Sequence, residues 1–162
     1  MTEFHSAGEV FRLAQSLERN AALFYRRCAD VYPSHGPMFL RLATMEDQHA
    51  DTFSKMAGRL PKEEQGQPPS AAARPQDNYF AALAAQCAME GSSALAAVTE
   101  AESVKDILLR GIGGEKEAVV FYTSIQNDLA TELGSHKVSE IIEQEMGHIV
   151  QLYVALKAVE QT

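Results

Sequence analysis

Glu-x-x-His occurs twice in the chain, at Glu46/His49 and Glu145/His148, and nowhere else. Each copy follows a second shared pattern, Glu-x-x-Ala-x-x-Phe-Tyr. It reads Glu18, Ala21, Phe24, Tyr25 in the first half and Glu115, Ala118, Phe121, Tyr122 in the second. The leading glutamate precedes the glutamate of Glu-x-x-His by 28 residues in one half and 30 in the other. The chain is therefore an internal duplication that supplies four carboxylates and two imidazoles. These are ligand types that iron and manganese accept. A Glu from each of two helices, with Glu-x-x-His from each of two others, is the ligand set of a carboxylate-bridged dinuclear metal site.

Residues three apart on a helix share a face, so Glu46 and His49 can reach one point, as can Glu145 and His148. Each of the four glutamates falls within an apolar stripe, where a carboxylate is costly unless it is paired or bound to metal. Four converging carboxylates without metal would repel one another and some would hold a proton. Two divalent cations would cancel their charge. Glu117 competes with Glu115 but falls on another face, and only Glu115 aligns with Glu18 through the Ala and Phe-Tyr positions. Glu140 and Glu143 read as solvent-facing charge.

Tyr25 and Tyr122 follow the leading glutamates by seven residues, two turns along the same face. They are either amphipathic core residues or hydroxyl donors that hold a glutamate of a facing helix near the metals. His5, His35 and His136 stand near helix starts or turns and are expected in solvent. Gly111, Gly113 and Gly114 precede Glu115, where glycine is unfavourable in a helix interior. They suggest close helix packing, a kink or access for a small molecule.

Four helical stripes carry these residues, with apolar side chains in steps of three and four. The first runs from Val10 to Cys28 and is stopped by Pro33, with Ser34 to Pro37 as a turn. The second runs from Met38 to Met56 and ends near Gly58. The third runs from Val104 to Leu129 with Ser103 as its N-cap, and the fourth from Val138 to Val159, with the turn at Thr131 to Ser135. In each hairpin the bend is equidistant from the two glutamates. At 1.5 Å per residue each glutamate then lies about 20 Å from the bend, so folding brings the pair to one height. Residues 58–76 hold four prolines and two glycines and should form a loop, while Asp77 to Glu90 could form a short extra helix. Two tight hairpins joined by this long crossover over 58–103 give an all-α, four-helix bundle in a single domain, 1–162.

Composition narrows the function classes. A chain of 162 residues can bury a core. Its net charge of -8 provides no basic stripe for nucleic acid. The two cysteines, Cys28 and Cys87, are too few and too far apart for a disulfide framework, a zinc ribbon or a thiolate iron centre, and both are expected in the core. No apolar run approaches a membrane span, and Met1 to Val10 does not read as a secretion signal. A cytoplasmic protein is expected.

At Glu18, Glu46-x-x-His49, Glu115 and Glu145-x-x-His148 the chain resembles the rubrerythrin-like branch of the ferritin-like superfamily. The resemblance implies the ferritin-like bundle, with two iron (or manganese) ions per chain. It makes Glu46 and Glu145 bridging ligands, Glu18 and Glu115 terminal ligands, and gives one histidine to each metal. Two features depart from that branch. The chain lacks a four-cysteine rubredoxin domain, and Ile112 stands where the branch carries an extra glutamate one turn before the third-helix ligand. The remaining six-ligand set is similar to bacterioferritin and other simple di-iron bundles. The functions implied are, in order, three. The first is an oxidoreductase that reacts diferrous iron with hydrogen peroxide or dioxygen, using an external electron donor. The second is ferroxidase or iron-handling activity, and the third a metal-stabilised structural protein. A homo-oligomer, a dimer first, is expected.

Overall fold

The computed structural model describes residues 7–62, 98–126 and 132–162. The proline-rich stretch beyond residue 62, the helix expected over Asp77 to Glu90, His5 and Cys87 lie outside them. The described residues form four α-helices and no strand: α1 (Ala7–Val31), α2 (Gly36–Gly58), α3 (Val104–Gln126) and α4 (Glu132–Glu160). None is long and apolar enough to cross a membrane.

The helix bounds follow from local chemistry. Between Glu9 and Val31 there is neither glycine nor proline, so nothing interrupts α1. Pro33 ends it, and Pro33–His35 forms one 3-10 turn closed by His35 N–H donating to the Tyr32 carbonyl at 2.9 Å. That turn is shorter than the Ser34 to Pro37 span expected. Gly36 is already helical at φ -49°, ψ -51°. Pro37 fits in the first turn of α2 because its missing N–H would have no intrahelical partner there.

Ser103 caps α3 as expected, and it does so reciprocally. Its Oγ accepts from the Asp106 N–H at 3.1 Å, while the Asp106 carboxylate accepts from the Ser103 N–H at 3.3 Å. Of the turn expected at Thr131 to Ser135, Thr131 lies outside the described residues and the rest is corrected. Helix α4 starts at Glu132, so Gly134 and Ser135 lie in its first turn.

The described residues divide into two compact units, 7–26 with 43–62 and 27–42 with 98–126 and 132–162. In the first, α1 and α2 run antiparallel, as three contacts at rising and falling numbers require. The Phe11 and Phe53 rings stand 6.2 Å apart, Glu18 faces His49, and Arg26 pairs with Asp47. Val10, Phe11, Ala14, Ala22 and Tyr25 are buried there with Ala43, Ala50 and Phe53. In the second, α3 and α4 pack antiparallel, with Gln126 bonded to Ser139, Glu115 facing His148 and Lys105 paired with Glu160. Its core includes Ile107, Leu108, Phe121, Tyr122, Val138, Leu152 and Leu156. Burying such side chains is worth about 1.5–3 kcal/mol each, and this holds the faces that carry the glutamates and histidines inward.

Candidate metal centre

All six candidate ligands are buried: Glu18 is 2% exposed, Glu46 1%, His49 3%, Glu115 4%, and Glu145 and His148 0%. The first unit brings together Glu18 from α1 with Glu46 and His49 from α2. Nδ1 of His49 lies 3.2 Å from Glu46 Oε2 and 3.6 Å from Glu18 Oε2. The second unit repeats the arrangement with Glu115 from α3 and Glu145 and His148 from α4. Nδ1 of His148 lies 2.9 Å from Glu145 Oε2 and 3.7 Å from Glu115 Oε2. In each trio one ligand atom per residue lies within 4.8 Å of the others. The duplication seen in the sequence is thus reproduced in side-chain geometry. It extends to the neighbouring rings: Phe24 and Tyr25 are 5.3 Å apart at 59°, Phe121 and Tyr122 5.4 Å apart at 64°.

Electrostatics separate these groups from surface carboxylates. Burial raises the Glu18 carboxyl to about 8, with the Glu46 charge pushing the same way and the His49 hydrogen bond opposing. Burial raises Glu115 to about 7, with His148 opposing and Glu145 adding to the rise. Both leading glutamates therefore hold a proton well above the usual carboxylate range. Both Glu46 and Glu145 have their carboxylate oxygens shut off from solvent. A donor set of carboxylate oxygens and imidazole Nδ1 in a dry interior fits a hard or borderline divalent cation, iron and manganese among them.

Residues weighed against this set fall where the helical faces put them. Glu117 and Glu143 are exposed, and Glu140 is half-exposed and paired with Lys137. His136 is exposed, whereas His35 is half-buried and its ring lies 6.4 Å from that of Phe39, so full exposure of His35 is corrected. Tyr25 and Tyr122 are buried, at 2% and 0% exposure. Cys28 is buried and its thiol is pushed up to about 12, chiefly by burial. Gly113 and Gly114 are exposed, and a Cβ on either would meet no atom within 4 Å. Close packing is therefore not their role, and α3 passes through them unbroken. Gly111 is buried.

A polar cluster beside Cys28 had no motif to announce it. Arg110 forks onto both oxygens of Glu102 at 2.8 and 2.9 Å, and the Tyr32 hydroxyl donates to the carbonyls of Glu102 and Thr99. These bonds fasten the chain entering α3 to the end of α1. The one sequence signal was an arginine in the apolar first half of α3.

No protein-family model matches the chain, and no curated protein does. Among solved structures it is similar to a Thermotoga maritima protein provisionally assigned as a ferritin-like diiron-carboxylate protein. The two are 20% identical over 94% of this chain and 95% of that one, with a TM-score of 0.68. At that identity the likeness speaks for architecture. The chain has the ferritin-like helical-bundle fold.

Proposed function

We propose that the two buried trios together hold one dinuclear iron site and that the chain, one di-iron domain, is a cytoplasmic oxidoreductase acting on hydrogen peroxide or dioxygen. The observation that carries this reading is the repetition of one Glu/Glu/His geometry in two buried places. Three residues do not fill the coordination of a metal by themselves. Sharing Glu46 and Glu145 as bridges, as the family resemblance implies, would give each metal both bridges, a histidine and a terminal glutamate. The assignment carried by the Thermotoga maritima protein supports the same metal pair.

Two ferrous ions there would supply two electrons, the number that cleaves the O–O bond of peroxide, and coordination positions open to an oxidant. The protein's share is to orient and to exclude water. His49 and His148 present Nδ1 toward the carboxylates. Glu18 and Glu115, which hold protons in the metal-free fold, would release them to a cation bound there. Electrons would come from an external donor.

Iron handling is the second reading. Ile112, at the position of the extra rubrerythrin glutamate, is apolar and buried, which leaves the simple six-ligand set shared with bacterioferritin. Stopped-flow mixing of anaerobic diferrous protein with each oxidant separates the two. Faster oxidation by peroxide supports the proposal. Faster oxidation by dioxygen followed by mineralisation of excess Fe²⁺ replaces it with iron handling. If neither oxidant reacts and Glu46→Ala changes only stability, the site is structural.

A further inference from the structure

Helix α4 buries one face, with Leu152 and Leu156 in the core, and leaves a second apolar stripe in solvent. Met146 is 54% exposed, Val150 62%, Tyr153 40% and Val154 67%. Half of the large exposed apolar side chains among the described residues thus fall within nine positions of one helix. Scattered singly they would be ordinary, but a continuous stripe on one helix marks a contact surface. A shallow groove lined by Val150, Tyr153, Val154, Lys157, Ala158 and Gln161 runs along its C-terminal half.

The stripe is self-complementary about Val150. In an antiparallel pair of α4 helices related by a two-fold axis at Val150, residues equally far from it on either side face each other. Four residues away, Met146 meets Val154 of the second copy. Seven residues away, exposed Glu143 meets exposed Lys157 of the second copy. Positions seven apart lie within about 20° of one another around a helix, so Glu143, Val150 and Lys157 share one line. The axis repeats each contact twice, which places apolar contacts at the centre and an opposite-charge pair at each end. The parallel arrangement would instead set Glu143 on Glu143 and Lys157 on Lys157.

We infer that this face of α4 is the interface of an antiparallel homodimer centred on Val150. The occupant is a second copy because the charge order along the stripe matches its own reversal. Sedimentation of the full chain over a concentration series tests it. A dimer is expected. Val150→Asp should make it monomeric with unchanged helicity by circular dichroism, since two copies of the new charge would meet at the axis. Glu143→Lys and Lys157→Glu should each weaken association about tenfold, and the double exchange should restore it, because rim charges act in opposed pairs. A monomer at all concentrations overturns the proposal, including one in which residues 146–154 resist hydrogen exchange because residues 63–97 cover them. An assembly indifferent to Val150→Asp also overturns it. So does a double exchange that fails to restore association, which would exclude this register.

Discussion

Nδ1 of His148 stands 2.9 Å from Oε2 of Glu145, three residues earlier on the same helix, and both side chains are sealed from solvent. Nitrogen and oxygen one turn apart thus converge on a point inside the protein. His49 and Glu46 do the same at 3.2 Å. A pair of this kind on a surface would be worth little. In the interior it is costly unless something positive sits with it.

Reconstitution with iron should give two ions per chain, as the dinuclear ligand set requires. Glu145→Ala should lower the count to one or fewer, because the bridge proposed for Glu145 would serve both metals. Elemental analysis of the desalted protein reads this directly. A count of one that Glu145→Ala leaves unchanged would refute the dinuclear site.

Metal that binds only the native state stabilises it by mass action, about 2.7 kcal/mol for an ion present at a hundredfold over its dissociation constant. Chelation should therefore lower the melting temperature of wild-type protein. The same treatment should leave a Glu46→Ala/Glu145→Ala variant unmoved.

The metal-free protein should lose stability as pH rises from about 4.5 to about 8. In the unfolded chain Glu18 and Glu115 ionise near the ordinary carboxylate value of 4.5, whereas in the fold they keep their protons to about 8 and about 7. Between those limits the folded state binds more protons, so each step up in pH favours unfolding. A shift of this size is worth on the order of a few kcal/mol per group. Iron affinity should run the opposite way and rise with pH, because protons compete for the same oxygens. Denaturant unfolding of chelated protein at several pH values, repeated in Glu18→Gln/Glu115→Gln, isolates the contribution. The slope should flatten in the double variant.

Tyr122→Phe removes one buried hydroxyl at nearly constant volume. If the hydroxyl holds a ligand in place, iron affinity should fall about tenfold while the fold persists. Competition titration against a chelator measures it. Unchanged affinity would make Tyr122 a core residue only.

Ser103→Ala should destabilise the protein by about 1 kcal/mol, through loss of the reciprocal bonds with Asp106 at the start of α3. A urea unfolding series decides between this value and no change.

The sequence by itself determined which glutamates and histidines are the candidate ligands, their pairing within each half and the helix faces that carry them. Those follow from one-dimensional spacing: Glu115 and Glu117 are told apart by a step of two residues, which turns the helix by more than half a circle. The cap at Ser103 was equally legible, since its partner lies three residues on. Tertiary structure decided what depends on neighbours remote in the chain. Burial, which raises Glu18 and Glu115, is a property of packing around them. The Arg110–Glu102–Tyr32 cluster joins residues far apart in number. On α4, the Leu152 and Val154 side chains are similar in hydrophobicity, yet one is fully buried and the other 67% exposed. Periodicity shows that a helix has apolar faces, but only the packing of its neighbours decides which one is covered.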